Sequence, residues 1–255
     1  MATSAAISIG YYGLPAGSII ASASHTAPSG FLLCDGSNTV SRTTYVDLFN
    51  NIVPNKGTVT ITIATPGVVT LNSHGFLTGE SIYLTTTGAL PTGLSADTLY
   101  FVVVNDANSF WLATSYANAI ANTRITASGS QSGTHTLFFC PYGLGSTTSN
   151  FKLPDQKNSV FRGRGLSTGF TSNGTTRMGY LEDDQFQGHN MSLAGGTALR
   201  VLDNGGTGLD AQYTAGSYRL GGAPVVPLSD GTNGTPRTGL ETRTKNQGVN
   251  FFIKF

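Results

Sequence analysis

Residues 58–63 read TVTITI, and this stretch decides the fold class. Valine and isoleucine alternate with threonine, so the apolar side chains of an extended strand would lie on one face and the polar ones on the other. Five more short runs follow, separated by turn residues, at 68–71, 81–85, 99–104, 109–112 and 134–139. Strands at intervals of roughly ten residues are typical of small antiparallel barrels and sandwiches. We therefore predict such a module over residues 57–139.

The composition of the 255-residue chain extends this prediction to the whole protein. Glycine is abundant, with 33 residues, and only 11% of the residues are charged, against roughly a quarter in ordinary soluble proteins. Lys and Arg number 14 and Asp and Glu 13, so there is no excess of positive charge for nucleic-acid phosphates. No apolar run approaches the ~18 residues of a membrane-spanning helix. We predict a mainly β protein that neither binds nucleic acid nor inserts into a membrane.

One short segment has the periodicity of a helix. Tyr45, Leu48 and Phe49 are spaced i, i+3, i+4 and would share one helix face. Ser41 or one of the two threonines after it could cap the helix, because a hydroxyl oxygen accepts a hydrogen bond from a free amide of the first turn. This is the one helix that we predict, within residues 41–49.

The two cysteines, Cys34 and Cys140, are too few for a disulfide scaffold. They are also too far apart in the sequence for a local metal-binding knuckle. We predict two free, buried thiols, and the sequence leaves open whether they meet in space.

The C-terminal region differs in composition from the rest of the chain. From Leu166 onward it consists mostly of Gly, Thr, Asn and Ser, although its last residues, 249–255 (VNFFIKF), are strongly apolar. A segment with so few apolar side chains cannot close a core by itself, and ordering it costs conformational entropy. We predict that packing between chains orders this region and that its terminal strand docks; a floppy tail is the alternative.

The sequence contains no phosphate-binding loop and no His-Glu-x-x-His pair. The one acidic cluster, residues 182–184, is more typical of a solvated turn than of a glycosidase site. We predict that the protein is not an enzyme. A glycan-cleaving spike with Asp183 as its acid is the third of three alternatives.

Several segments in a fixed order resemble the phage tail collar family. They comprise residues 14–20 (LPAGSII), 28–36 (PSGFLLCDG) and 41–49, and the pattern resumes at 142–143 and 151–155 (FKLPD) and closes at 161–163. Phe31 lies where members of the family usually have Trp. The pattern is split in two, so the resemblance implies a discontinuous collar domain with a module inserted in one of its loops.

The inserted stretch is itself similar to a β-rich module that recurs in phage structural proteins. The similarity rests on residues 74–76, 88–94, 100–102 and 128–135. This module would begin near Gly57, where the composition of the chain also changes. The resemblance and the composition therefore place its start at the same position.

The C-terminal region resembles the tip of short tail fibres, at residues 184–189 and 241–254. The resemblance implies a homotrimer with an intertwined β tip. In relatives with a Gly-His-x-His motif, six imidazoles from three chains can bind a metal on the trimer axis. Here His189 is followed by Asn190 and Met191, so three imidazoles would need other donors. We predict no cofactor, and His189 is the one candidate for a trimer-axis metal.

The resemblance implies four regions. They are an attachment arm at 1–13, a collar domain at 14–56 plus 140–180, an inserted β-rich module at 57–139, and a trimeric, receptor-binding tip at 181–255. We predict a virion protein of a tail fibre or baseplate tip that attaches to other tail proteins through the arm. Its other partner is a bacterial surface glycan or outer-membrane receptor.

Four residues of the tip are candidates for receptor contact: Arg200, Tyr213, Tyr218 and Arg219. Aromatic faces pack on sugar rings, and Arg guanidinium groups pair with phosphate or carboxylate. The tyrosines could equally fill contacts within the trimer. The alternative function is a structural connector of the tail without receptor contact.

Overall fold

The computed structural model describes residues 13–157, 159–161, 163–166, 175–180 and 248–255, together with the backbone of 213–214 and 217–218. The protein is mainly β, as predicted. It divides into two compact units, Met1–Leu181 with Gln247–Phe255, and Glu182–Asn246. In the described residues no helix has both the length and the apolar character needed to cross a membrane.

The elements are numbered along the chain. They are β1 Ile19–Ser22, β2 Phe31–Leu33, β3 Val40–Ser41, α1 Val46–Ile52, β4 Asn55–Ile61, β5 Val68–Thr70, β6 Ser81–Thr86, β7 Tyr100–Val104, β8 Ser109–Ala113, α2 Tyr116–Ile120, β9 His135–Phe139, β10 Asn150–Phe151, β11 Gly165–Leu166, β12 Thr175–Thr176, β13 Tyr213–Thr214, β14 Ser217–Tyr218 and β15 Asn250–Lys254.

Six strands form a closed antiparallel barrel in the order β4-β5-β8-β7-β6-β9. Each of the six runs found in the sequence supplies one strand, so the predicted antiparallel module is confirmed, and of the two predicted forms it is a barrel. Successive side chains of a strand lie on opposite faces, so alternate residues of the strands face the barrel interior. The barrel core consists of Val59, Ile61, Val69, Phe76, Ile82, Leu84, Tyr100, Val102, Phe110, Leu112 and Leu137.

Strand β4 closes the barrel by pairing with two neighbours. Its first half pairs with β9 and its last two residues pair with β5. The register with β9 shifts between Asn55 and Gly57, where Gly57 has a φ of 105°. Glycine adopts this conformation without steric cost, and the irregularity bends the strand at the seam of the barrel.

A three-stranded antiparallel sheet in the order β1-β15-β2 lies outside the barrel. Its middle strand is the C-terminal β15, which pairs Ile253 with Ile19 on one side and with Leu32 on the other. The sequence assigned this strand to the tip; the structure corrects that assignment. A strand that is apolar on both faces suits the centre of a sheet, and Phe252 and Ile253 are each 1% exposed.

Strands β3 and β10, from before and after the barrel, pair antiparallel with Val40 opposite Phe151 and Ser41 opposite Asn150. The predicted helix forms as α1, but it begins at Val46, later than expected. Its N-cap residue provides no side-chain cap. The Ser41 hydroxyl instead accepts a hydrogen bond from the amide of Thr44 in the preceding turn.

The prediction of a single helix was wrong, because the structure has a second one, α2. Its N-cap is Ser115, whose hydroxyl accepts from the Asn118 amide at 3.1 Å. The helix has five residues and buries only Ala119, so it is too short to produce an apolar periodicity in the sequence.

A second apolar core holds the collar together and joins it to the barrel. Tyr83 belongs to barrel strand β6, but it points into the collar core, since its neighbours Ile82 and Leu84 face the barrel interior. Cys34 and Cys140 lie in the same collar core as buried free thiols, as predicted.

Candidate functional site

Two of the four residues predicted to contact a receptor, Arg200 and Arg219, lie outside the described part of the chain. The metal candidate His189 and the acidic cluster 182–184 also lie outside it. Tyr213 and Tyr218 are described by their backbone: β13 and β14 pair antiparallel with Tyr213 opposite Tyr218. The two tyrosine positions are therefore direct cross-strand neighbours.

We call the stretch from Leu181 to Gln247 the excursion, because the chain leaves the first unit and returns to it there. The site that the structure does describe consists of the residues on either side of this stretch. The outgoing side contains a buried ion pair. Arg164 Nε lies 2.6 Å from Glu80 Oε1, and Arg164 Nη2 lies 2.8 Å from Glu80 Oε2. The Glu80 side chain is fully buried, whereas that of Arg164 is 36% exposed. Two parallel hydrogen bonds to one carboxylate hold the guanidinium in a defined plane.

The Glu80 carboxylate accepts two further hydrogen bonds from backbone amides. Leu77 donates to Oε2 at 3.0 Å within the turn that precedes β6, and Met178 donates to Oε1 at 3.4 Å. Arg164 also donates to the Gly75 carbonyl at 2.9 Å. The side-chain hydrogen bonds to Glu80 raise the pKa of Arg164 above its usual value, so the guanidinium stays charged. One carboxylate thus binds the chain both before β11 and after β12.

The residues that follow β12 pack on the same end of the barrel. Arg177 donates to the Thr78 carbonyl and lies over the Tyr116 ring, with 5.3 Å from Cζ to the ring centre. Tyr180 stacks on Tyr116 with 4.1 Å between ring centres. Gly79 makes this contact possible, because a Cβ there would come within 2.7 Å of Tyr116. The described residues 177–180 are therefore bound to this end of the barrel.

The returning side is fixed by the collar sheet. Besides the strand pairs of β15, the Cys34 amide donates to the Phe251 carbonyl at 2.9 Å and the Gly17 amide to the Lys254 carbonyl at 2.8 Å. Phe161 contacts Phe251 edge to face at 4.8 Å. Both ends of the excursion are thus anchored, one on the barrel and one in the collar sheet.

On the outgoing side, the sequence predicted no anchoring role for Glu80, Arg164 or Arg177. Glu80 carried one usable signal: it is one of only three acidic residues, with Asp97 and Asp106, between Thr58 and Phe139. A lone carboxylate in an apolar β module is rarely buried without a partner. Its partner, Arg164, follows β10, and nothing in the local sequence pairs the two.

His74 has a structural role in the barrel. Its Nδ1 accepts from the Phe76 amide at 3.0 Å, and its Nε2 lies 2.8 Å from the Asp106 carbonyl. Nε2 therefore carries the proton, and both ring nitrogens are occupied.

His135 is held in the same way. Its Nδ1 lies 2.8 Å from the Thr86 hydroxyl and its Nε2 lies 3.1 Å from Gln131 Oε1. Burial lowers the pKa of His135 from 6.5, which favours the neutral ring. Within the described ranges no three His, Cys, Asp or Glu side chains come together as a metal site.

Comparison with protein families matches residues 17–56 to the Phage Tail Collar Domain. The match confirms the resemblance to the collar family over this segment, which covers β1, β2, β3 and α1 and ends within β4, where the barrel begins. Comparisons with curated proteins and with solved structures find no match. The collar domain indicates a structural component of a phage tail.

Proposed function

We propose that this protein, with its phage tail collar domain at residues 17–56, trimerises at the distal end of a tail fibre or baseplate and binds the host cell surface. The observation that supports this most directly is the doubly anchored excursion. The described residues on either side of this stretch are held on the first unit: Tyr180 stacks on Tyr116, and β15 pairs with β1 and β2. Segments held in this way on a rigid scaffold are where proteins commonly place binding residues.

The proposal divides the chain into four regions. Residues 1–13 attach the protein to another tail component, 14–56 with 140–180 form the collar, and 57–139 form the inserted barrel. The tip comprises 182–246, because β15 returns to the collar sheet. Receptor contact falls on turns between Gly188 and Gly239, with Arg200, Tyr213, Tyr218 and Arg219 as its residues.

We propose no metal ion on the trimer axis. His189 is followed by Asn190 and Met191, so the donor set of three chains does not complete an octahedral shell of imidazoles. We also assign no catalytic activity, in keeping with the structural character of the matched family.

Two measurements on the purified protein test the proposal. Light scattering gives the solution mass, for which we expect three chains whether or not a chelator is present. Labelled protein is then added to cells that the phage infects, and binding is compared between wild type and the Tyr218→Ala/Arg219→Ala variant. We expect the variant to remain trimeric and to lose binding, while Lys157→Ala, a change on the exposed collar surface, retains it.

The outcomes separate the alternatives. A trimer that binds no cells, and that neighbouring proteins cover at both ends in the virion, favours the connector. A monomer that binds cells contradicts the intertwined tip. Release of products from isolated host polysaccharide, abolished by Asp183→Asn, favours the glycan-cleaving spike.

A further inference from the structure

The outer surface of the barrel has an arginine stacked on the one tryptophan of the chain. Trp111 lies on β8 and is half-buried, with Val68 and Val103 as its cross-strand partners. Arg124 Cζ lies 3.6 Å from the centre of the Trp111 ring, a distance at which the guanidinium lies against the ring face. The stack fixes the plane of the guanidinium.

The backbone around Arg124 is also fixed. Asn122 follows α2 with a φ of 59°, a left-handed conformation that asparagine tolerates better than most residues. Thr123 donates to the Asn118 carbonyl at 2.8 Å, and Ile125 donates to the Leu112 carbonyl at 2.8 Å. Arg124 is therefore held between the end of α2 and the edge of β8. Its Nε donates to Asn122 Oδ1 at 2.8 Å, which fixes the rotation of the guanidinium on the ring.

Arg124 differs from the other arginines that the structure describes. Arg42 donates to the Asn150 carbonyl, Arg164 binds Glu80 and Arg177 donates to the Thr78 carbonyl, so each of them joins distant segments. Arg124 bonds only to a residue two positions away. Its terminal Nη1 and Nη2 groups have no partner among the described residues, and no described carboxylate forms an ion pair with it.

The sequence around Arg124 makes this free cation conspicuous. Between Thr58 and Phe139 it is the only Lys or Arg. An arginine that only shields an aromatic ring needs no fixed rotation, because a mobile side chain covers the ring equally well and keeps its rotamer entropy. The fixed plane and the two unpaired terminal amino groups match what bidentate recognition of an oxyanion requires.

We propose that Arg124, oriented by Trp111 and Asn122, binds a carboxylate or phosphate group of a surface glycan. Two parallel N–H···O bonds run from Nη1 and Nη2 to two oxygens of the anion. The oxyanion follows from the geometry, whereas its attachment to a sugar rests on the proposed function, contact with a cell surface. The inserted barrel then adds a second, anionic contact to those of the tip.

Trp111 provides the measurement, because an anion bound to the overlying guanidinium changes its fluorescence. The full-length protein is titrated at constant ionic strength with an oligogalacturonate, a glycerol phosphate oligomer and a neutral glucose oligomer. The first two distinguish a carboxylate from a phosphate. We expect a saturable change with at least one of them and no change with the neutral oligomer.

The variants are Arg124→Lys and Arg124→Gln, with Lys56→Gln as the control. Lysine retains the charge but cannot form two parallel bonds in one plane, so we expect binding to weaken about tenfold or more in both Arg124 variants. Lys56 is an exposed residue near the start of β4, and its replacement by Gln changes the net charge by the same amount as Arg124→Gln. We expect the affinity of Lys56→Gln for the oligomers to equal that of the wild type. Circular dichroism and thermal unfolding verify that each variant folds.

Three results would overturn the site: no saturable response to either anionic oligomer, an unchanged response in Arg124→Gln, or an equal loss in Lys56→Gln. An equal loss in Lys56→Gln would mean that the weaker binding reflects the change in net charge and not a specific site. The two proposals fail separately. If wild-type protein does not bind cells, the proposed function fails while the titration with oligomers still decides whether Arg124 binds an oxyanion.

Discussion

The barrel and the collar stabilise their cores in different ways. The barrel is built from one continuous stretch, and half of its strand pairs join strands that are consecutive in the sequence, such as β7 with β8. The collar sheet joins β1 and β2 to β15, from the opposite end of the chain. Closing a long loop costs entropy before its contacts form, so the collar depends on the whole intervening chain and the barrel does not. Five changes test this difference, from the largest expected effect to the smallest.

Removal of residues 250–255 should have the largest effect. The collar sheet loses its middle strand and two side chains, Phe252 and Ile253, that are each 1% exposed. Truncation of one such side chain alone costs about 2–5 kcal/mol. We expect hydrogen exchange of β1 and β2 to become fast while the unfolding transition of the barrel, followed by Trp111 fluorescence, persists. Removal of Phe255 alone, which is 37% exposed, is the control. A joint loss of both signals would show that the barrel does not fold separately.

Phe110→Ala tests the barrel. The Phe110 side chain is fully buried and contacts Phe76 and His74 edge to face. The cavity should cost about 3–5 kcal/mol in the free energy of unfolding, measured by chemical denaturation with Trp111 fluorescence. We expect exchange in the collar peptides to change much less than in the barrel. Equal increases in both regions would argue against separate cores.

Arg164→Ala breaks the anchor between the barrel and the outgoing chain. The change leaves the buried Glu80 carboxylate without its cation, which is strongly unfavourable, although the partial exposure of Arg164 admits some water. We expect a loss of about 2–3 kcal/mol and faster tryptic cleavage after Arg177. Lys157→Ala disrupts the Asp155 pair, whose side chains are 63% and 51% exposed, and should cost less than about 1 kcal/mol. Similar losses of stability in both variants would argue against a special anchoring role for the buried Glu80 carboxylate.

His135 should make the barrel sensitive to mild acid. Burial lowers its pKa from 6.5 in the folded barrel, so below that pH the unfolded chain binds a proton more readily. The stabilisation is complete above about pH 6.5 and is lost as the pH falls towards the lower, folded-state pKa. Unfolding free energies between pH 8 and 5 should show a steeper decline for wild type than for His135→Gln. Parallel curves would assign the decline to other groups.

The cysteines should show the smallest effect, because they are buried in the collar core. Burial raises the pKa of both Cys34 and Cys140 to about 12, so almost no thiolate is present at pH 8. We expect no reaction with an aromatic disulfide reagent in the native protein and reaction of both thiols after unfolding. Rapid labelling of native protein would mean that the collar core opens more easily than its burial indicates.

The barrel could be predicted from the sequence because short apolar or alternating runs recur between turns. In β4 the alternation identifies the inward residues Val59 and Ile61, whereas Ile63 lies beyond the strand and is 45% exposed. Residues 99–104 are apolar throughout, so they predict the strand β7 but not its inward face. Helix α2 could not be predicted, since it buries a single residue. The collar was found through its resemblance, not through its periodicity, and its match at residues 17–56 ends where the barrel begins.

The candidate site was less accessible to prediction than the fold. The chemistry of Arg and Tyr pointed to residues 200–219, whereas the anchors that the structure describes are Glu80, Arg164 and the strand β15. Glu80 and Arg164 are 84 positions apart, and neither lies in a recognisable motif. A contact between two single residues leaves no periodic trace in a sequence.

By itself, the sequence determined the mainly β class, the six barrel strands and the collar segment, because local alternation and motif order are written along the chain. The tertiary structure alone decided that the barrel closes through β4, that the C-terminal strand returns to the collar and that Glu80 binds Arg164. Alternation specifies the face on which a residue lies but not the strand that it pairs with. Pairing depends on burial and charge compensation between distant segments, and only the folded chain brings those segments together.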